Sequence, residues 1–347
     1  MMRCFQGDRK MKHGKKCKID KYTLILSVLL LLLTGLVIAW ELPQKEDRYI
    51  HVGIAVYDRS DTFMESYIRE LEDKIGQTRI LGKKVSYEIY DAEGIGSRQE
   101  KQLQEMYAQD YDVMLVNLVE PASAAGVLTD AKDADTPVIL FNREIDEKDL
   151  KISKNVWYVG TDARAAGVMQ GKLLKDLWKK QSRILDWNGN GMLDYVLVEG
   201  EESHFDAIRR TSGFLETGAE LPLNQKGNIL AEWKRELAYE KFAALDDEAV
   251  QNVEAVICNN DDMALGVYDY YKEKNLKLPV IIGINNSEEM HQKIMSGEMY
   301  GTIDNKMEDQ VMEICRLMQA ILKKDTGSYQ KVWYSTPKAI VKAEGTE

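Results

Sequence analysis

From residue 50 onward, short apolar runs rich in β-branched residues alternate with longer stretches of mixed character. The runs are VGIAVY (52–57), VSYEIY (85–90), DVMLVNL (112–118), PVILF (137–141), DYVLVEG (194–200), EAVICN (254–259), PVIIGI (279–284) and YGTI (300–303). Their length and apolar density predict strands. Between them lie DTFMESYIRELEDKIGQ, SRQEKQLQEMYAQ, ARAAGVMQGKLLKDLWKK, DDMALGVYDYYKEK and SEEMHQKIMSG. These space apolar residues three and four apart and open on acidic, Asn or Ser residues, which predicts amphipathic helices. Strand and helix in alternation predict an α/β fold, a doubly wound parallel sheet with helices on both faces.

Before this pattern comes a different one. Residues 22–40, YTLILSVLLLLLTGLVIAW, carry no charge. Nineteen residues of helix span about 28 Å, close to the hydrocarbon core of a bilayer. Residues 1–21 hold eight Lys/Arg and two Asp, a charge of +6. Positive flanking charge keeps that basic segment in the cytoplasm and sends everything after Trp40 outside. The length of the apolar stretch favours a retained transmembrane anchor, which gives a single-pass protein of the cell membrane with an extracytoplasmic domain. Cleavage after Ala39 is the alternative, and would leave a periplasmic or secreted protein. No Cys follows the apolar run until Cys258, which argues against a lipoprotein.

The chain has 347 residues, enough for two domains. Its net charge is −11, so the rest of the chain carries −17 once the +6 of the first 21 residues is set aside. An acidic body argues against nucleic acid, because phosphate binding needs concentrated positive charge. Cys4 and Cys17 precede the apolar segment. Cys258 and Cys315 stand far apart and are expected as buried thiols rather than a disulfide.

In sheets of this kind ligands sit at the carboxyl ends of the strands. The residues there are Asp58 to Phe63, Asn142-Arg143-Glu144, Glu201 to Arg210, Asn259-Asn260-Asp261, Asn285-Asn286 and Asp304-Asn305. Any one of them is explained by turns and helix caps. Their recurrence at most strand ends points further. A sugar hydroxyl donates and accepts, so its site needs carboxylates, a guanidinium and two-way amides. Its C–H faces pack on aromatic planes, for which Phe63 and Trp233 are candidates.

One loop stands apart. DWNGNGMLD places Asp186, Asn188, Asn190 and Asp194 at positions one, three, five and nine of an EF-hand-like loop, with Gly191 at six. Position twelve, where a bidentate Glu belongs, is Leu197. On these residues alone the loop reads as a calcium site lacking a ligand, or as a polar turn.

The segments VGIAVYDRSDTFM, NLVEPASAAGV, FNRE, YVGTDARAAGVMQG, ILDWNGNGMLDYVLVEGEESHFDAIRRT, NNDDMALG and GTIDNKMEDQ occur in this order. Together they resemble the galactose/glucose-binding proteins of the bacterial periplasmic binding protein superfamily. The resemblance implies two α/β domains joined by a three-segment hinge that close over one sugar (periplasmic binding protein type I). The implied first domain comprises 48–160 and 305–331; the second comprises 161–304 and 332–347 and carries the calcium loop. The implied sugar contacts are Asp61, Phe63, Asn142, His204, Asp206, Arg210, Trp233, Asn260, Asn285 and Asn305. Asn285 stands where the family has Asp, which removes a charge from the site. The implied structural Ca2+ ligands are Asp186, Asn188, Asn190, the Met192 carbonyl, Asp194 and Glu254, with Glu254 closing the loop in place of a twelfth-position Glu.

The function this implies is extracytoplasmic binding of a monosaccharide and its delivery to an ABC transporter permease, by a monomer. A membrane-tethered sensor for chemotaxis or a two-component kinase is the alternative. A glycosidase would need Asp61 and Asp206 as an acid/base pair at a defined separation, and the pattern is of the binding type. A sugar-responsive repressor would need an N-terminal helix-turn-helix where the apolar segment stands.

Overall fold

The computed structural model describes residues 49–245 and 252–342, with four earlier positions, Lys21, Tyr22, Leu30 and Thr34. Apart from those four, the basic segment 1–21 with Cys4 and Cys17, and the apolar segment 22–40, lie outside the described residues. Among the described residues no helix is long and apolar enough to cross a membrane.

Residues from Tyr49 on form one compact unit built on two sheets. In chain order the strands are β1 (Tyr49–Val56), β2 (Arg79–Ile80), β3 (Lys83–Asp91), β4 (Val113–Val116), β5 (Val138–Asn142), β6 (Val156–Thr161), β7 (Leu193–Glu199), β8 (Leu223–Leu230), β9 (Ala255–Cys258), β10 (Val280–Ile284), β11 (Gly301–Asp304), β12 (Val332–Ser335) and β13 (Lys338–Val341). The helices are α1 (Thr62–Gln77), α2 (Gly96–Tyr107), α3 (Ala124–Asp133), α4 (Ala163–Leu185), α5 (Phe205–Gly218), α6 (Arg235–Ala243), α7 (Asp261–Glu273), α8 (Glu288–Ser296) and α9 (Met307–Leu322).

The first sheet runs β12-β6-β5-β4-β1-β3-β2 and the second β13-β11-β10-β9-β7-β8. Pairing is parallel except at two edges, where β2 runs against β3 and β13 against β11. Each sheet is covered on both faces. Val52, Ile54 and Val56 pack with Tyr67, Ile68 and Leu71 of α1 and with Val311 and Ile314 of α9. The opposite face sets Met114, Val116 and Leu140 against Leu103, Met106 and Leu128. In the second sheet Val196, Val198 and Val256 meet Phe242, Val267 and Tyr271 on one face. Leu197, Ile257 and Ile282 meet Leu174 and Phe214 on the other. Double cover explains why these strands read as unbroken apolar runs. Cys258 and Cys315 are buried and free, one in the core of each lobe.

The chain passes between the lobes three times, after β6, after β11 and after β12. The expected boundary at 331 is corrected here. Val332–Ser335 pairs in parallel with Tyr158–Thr161 of the first sheet, and only Lys338–Val341 joins the second. The crossing falls at Thr336-Pro337, where proline lacks the N–H that would continue the ladder.

The three crossings meet in one buried network. Asn305 stands after β11, and its backbone carbonyl accepts from Thr161 Oγ1 at the end of β6 (2.8 Å) and from Gln310 Nε2 of α9 (2.8 Å). The same carbonyl accepts from Ser335 Oγ at the end of β12 (2.7 Å). Gln310 Nε2 also donates to Thr161 Oγ1 at 2.8 Å.

Candidate functional site

The carboxyl ends of the two sheets face each other across a cleft. It is lined by Tyr57, Asp61, Phe63, Asn142, Arg143, His204, Asp206, Arg210, Trp233, Asn260 and Asn285. About 400 Å³ of it is free of protein atoms, part of that open to solvent. Nine of the ten residues predicted to contact a sugar stand in this lining. The tenth, Asn305, is buried one layer behind, where its Nδ2 donates to Asn285 Oδ1 at 2.9 Å.

Strand ends and helix starts hold these side chains. Asp61 caps α1 by accepting from the Met64 N–H at 2.8 Å. Burial, with the Asp61 charge adding to it, pushes the Tyr57 phenol well above its ordinary pKa. Asn260 caps α7 by accepting from Met263 N at 2.9 Å, while its Nδ2 donates to the Trp233 carbonyl at 2.9 Å. Asn142 and Asn285 take positive φ values of 64° and 130° at the ends of β5 and β10. Such backbone is strained for most residues and is tolerated best by Asn, Asp and Gly.

His204 caps α5. Its Nδ1 accepts from Asp206 N at 3.2 Å, so the ring proton belongs on Nε2. Nε2 is buried without a partner. Burial, then the positive charges of Arg143 and Arg210, hold the imidazole pKa down to about 2. The ring is therefore a neutral donor at the cleft wall. Asp206 is buried, and burial raises its pKa against the pull of Arg210 and Arg143. Arg210 anchors one nitrogen on the Asn259 carbonyl at 2.7 Å and leaves its buried Nε unpaired. The unpaired donors of His204 and Arg210, set beside the carboxylates of Asp61 and Asp206, make a lining that donates and accepts with two charges of each sign.

Close helix packing sets α5 in place. A Cβ at Gly167 of α4 would lie 1.9 Å from the Arg210 carbonyl oxygen, and one at Gly213 of α5 would lie 2.2 Å from the Arg164 carbonyl oxygen. Only glycine allows the two backbones this approach, which holds Asp206 and Arg210 at the cleft. Trp233, after β8, belongs to the same lobe and lines the cleft beside them. Its ring meets His204 edge-on at 5.3 Å and lies 5.5 Å from the Arg210 guanidinium.

Three residues that matter here were not among the predicted site residues. Arg143 is buried, with its guanidinium 3.6 Å from the Tyr57 ring centroid. Glu201 accepts from it across the cleft. Asn117, fully buried at the end of β4, accepts from Tyr57 N and donates to the Phe141 carbonyl and to Asn142 Oδ1. The rule that singled out the other strand ends covers all three positions.

The six predicted calcium ligands gather on one side of the second lobe. Asp194 Oδ2 accepts from Asn188 Nδ2 (3.0 Å) and Asn190 Nδ2 (3.2 Å). The Glu254 carboxylate accepts from Asn188 N (3.3 Å) and Asp194 N (2.9 Å). Asp186 Oδ2 accepts from Gly191 N at 3.0 Å, and its Oδ1 is buried without a partner. Lys226 Nζ stands 3.4 Å from Asp194 Oδ2. As the side chains stand, no three acidic, His or Cys groups among the described residues converge as a metal cage.

Residues 52–326 match the periplasmic binding protein domain. The chain belongs to the periplasmic binding protein family. It is similar to the D-galactose/methyl-galactoside binding periplasmic protein of Haemophilus influenzae, at 30% identity over 290 residues, covering 81% of this chain and 84% of that one. It is also similar to the galactofuranose-binding protein of Escherichia coli, at 27% identity over 248 residues, covering 69% of this chain and 74% of that one. Its fold matches that of an ABC transporter periplasmic solute binding protein from Actinobacillus succinogenes with bound D-allose. That match has a TM-score of 0.73 at 19% identity and covers 84% of this chain and 97% of that one. The family's business is solute binding, and the chain is a binding protein rather than an enzyme.

Proposed function

We propose that the chain binds a monosaccharide of the galactose/glucose type between its two lobes, outside the cytoplasm, and presents it to an ABC transporter permease. The observation that carries this reading is the cleft lining. Two aromatic side chains, Phe63 and Trp233, stand with two carboxylates, two guanidiniums, a neutral imidazole and three amides, drawn from both lobes. Paired charges of opposite sign suit a neutral polyhydroxylated ligand, and the flat rings suit the C–H faces of a pyranose. The galactose-binding relative from Haemophilus influenzae supports the choice of sugar. The apolar segment 22–40 supports a tether that keeps the chain beside its membrane partner.

Calorimetric titration against a panel of pyranoses tests this. Galactose or glucose is expected to bind and to raise the melting temperature, since a ligand at 100 times its Kd stabilises the folded state by about 2.7 kcal/mol. Trp233→Ala is expected to abolish the shift. No binding by either sugar at millimolar concentration would sink the assignment.

We further propose a structural calcium ion held by Asp186, Asn188, Asn190, the Met192 carbonyl, Asp194 and Glu254. The donor set is all oxygen, as a hard cation requires. The buried, unpaired Asp186 Oδ1 supports the reading. Binding requires the Asn188 and Asn190 amides to turn their oxygens inward, away from their present bonds to Asp194.

A further inference from the structure

Trp233 is held in a conformation it would not choose. Glu232 and Trp233 have φ values of 50° and 66°, two consecutive bulky residues in the left-handed region. Such backbone persists only where the surroundings over-determine it. Three contacts do so. Asn260 Nδ2 grips the Trp233 carbonyl at 2.9 Å. The indole lies against Gly200, where an added Cβ would sit 2.3 Å from the ring. The indole Nε1–H donates to Glu201 Oε1 at 3.0 Å.

The third contact differs from the others. The same Glu201 Oε1 accepts from Arg143 Nη2 at 3.1 Å, and Arg143 belongs to the opposite lobe. The Arg143 side chain is itself fixed. It is 6% exposed, stacks on Tyr57 and donates to the Val119 carbonyl at 2.6 Å. One carboxylate oxygen thus joins the aromatic wall of the second lobe to a rigid cation of the first. Glu201 stands at the cleft mouth, outside the inner lining, with its side chain 40% exposed.

We propose that Glu201 is a positioning residue that couples closure of the lobes to the orientation of Trp233. With the lobes together, Arg143 pins the Glu201 carboxylate, and the pinned carboxylate fixes the indole plane against which the ligand packs. With the lobes apart, Glu201 loses its cation, and the carboxylate that accepts from the indole is free to move. The wall is complete only in the closed state, which raises the ligand's preference for that state and slows its escape. This rests on the sugar-binding reading for its consequence but not for its mechanism.

The test uses the full chain labelled with 5-fluorotryptophan, whose six tryptophans give separate fluorine signals; Trp233→Phe assigns the relevant one. Without sugar, Glu201→Ala is expected to shift or broaden the Trp233 signal and leave the others in place. Arg143→Ala is expected to do the same from across the cleft when bound sugar holds the lobes together. Glu201→Gln retains an acceptor for the indole and is expected to give a smaller change. A Trp233 signal unmoved by Glu201→Ala, or moved by it in the sugar-saturated protein and not there by Arg143→Ala, overturns the coupling. With a sugar that binds the parent, Glu201→Ala is expected to weaken affinity roughly tenfold, chiefly through faster dissociation, with an unchanged melting temperature in the free protein. Affinity within about twofold of the parent also overturns it. Failure of every sugar to bind the parent would remove the sugar reading, while the free-protein spectrum of Glu201→Ala still decides whether Glu201 holds Trp233.

Discussion

Single side chains at the cleft carry more than ligand contacts. Glu144 follows Arg143 at the end of β5. Its Oε1 accepts from Tyr334 Oη at 2.5 Å and from Arg209 of the other lobe, and its Oε2 is buried without a partner. Burial raises its pKa from 4.5 to about 7; the nearby Asp206 charge adds to the rise, while Tyr334 and Arg209 oppose it. The folded state therefore holds a proton that the unfolded state releases near pH 4.5. By linkage, the contribution to stability is full below that pH and is lost as pH rises through about 7. Denaturant unfolding at pH 5 and pH 7 is expected to show Glu144→Gln losing less stability over this interval than the parent, by at most about 3 kcal/mol. Equal losses would show that Glu144 ionises in the folded state as it does in the unfolded one. The cleft lining was legible in the sequence because polar residues stood where strands end. Glu144, Arg143 and Glu201 stood among those strand-end residues, but their pairings were not legible, because Arg209 lies across the cleft from Glu144, and Arg143 and Glu201 lie across it from each other. Arg143 and Glu201 are 58 positions apart, and no spacing rule links them.

At the scale of elements, legibility followed burial. The all-buried strands β4 and β9 read directly as apolar runs. β8, LNQKGNIL, is a partly exposed edge strand with a register shift against β7, and it offered neither an apolar run nor clean alternation. The loop from Asp186 to Asp194 is the hardest element to read, since its Asn side chains serve the turn itself. Asn188 Oδ1 accepts from Asn190 N, and Asn190 Oδ1 accepts from Met192 N. These bonds would hold a polar turn without any ion. The two readings separate in solution. A calcium site ties this loop to the start of β9 through Glu254, so EDTA is expected to lower the melting temperature and added calcium to restore it. Asp186→Asn is expected to blunt that response, because it removes the carboxylate whose Oδ1 has no other partner. Identical melting in EDTA and in calcium would leave the turn self-sufficient, with Lys226 as the cation nearest Asp194.

For the molecule as a whole, the hinge decides what a ligand can do. Two lobes, each with its own doubly covered sheet, meet through three crossings that share the Asn305 carbonyl as a common acceptor. That arrangement restrains the pivot while leaving the cleft faces to separate. The third crossing was misplaced in sequence because a four-residue strand at a sheet edge carries too little pattern to assign it to one sheet or the other; pairing with β6 settles it. In this structure the faces touch through Arg143–Glu201, Glu144–Arg209 and Thr62–Asp262. These ties are polar, and those of Glu201 and Thr62 are open to solvent, where such contacts contribute roughly 1 kcal/mol or less. The two exposed ties are too weak to hold the lobes shut by themselves, so a ligand that bridges both faces shifts the balance in proportion to its preference for the closed form. Small-angle scattering from residues 49–347 is therefore expected to show a smaller radius of gyration as the bound sugar saturates, with a midpoint equal to the calorimetric Kd. Glu201→Ala should need more sugar to reach the same compact state, because it removes one tie and loosens the Trp233 wall together. A scattering curve unchanged at saturating sugar would mean that the lobes are already closed in the free protein, and that binding selects no conformation.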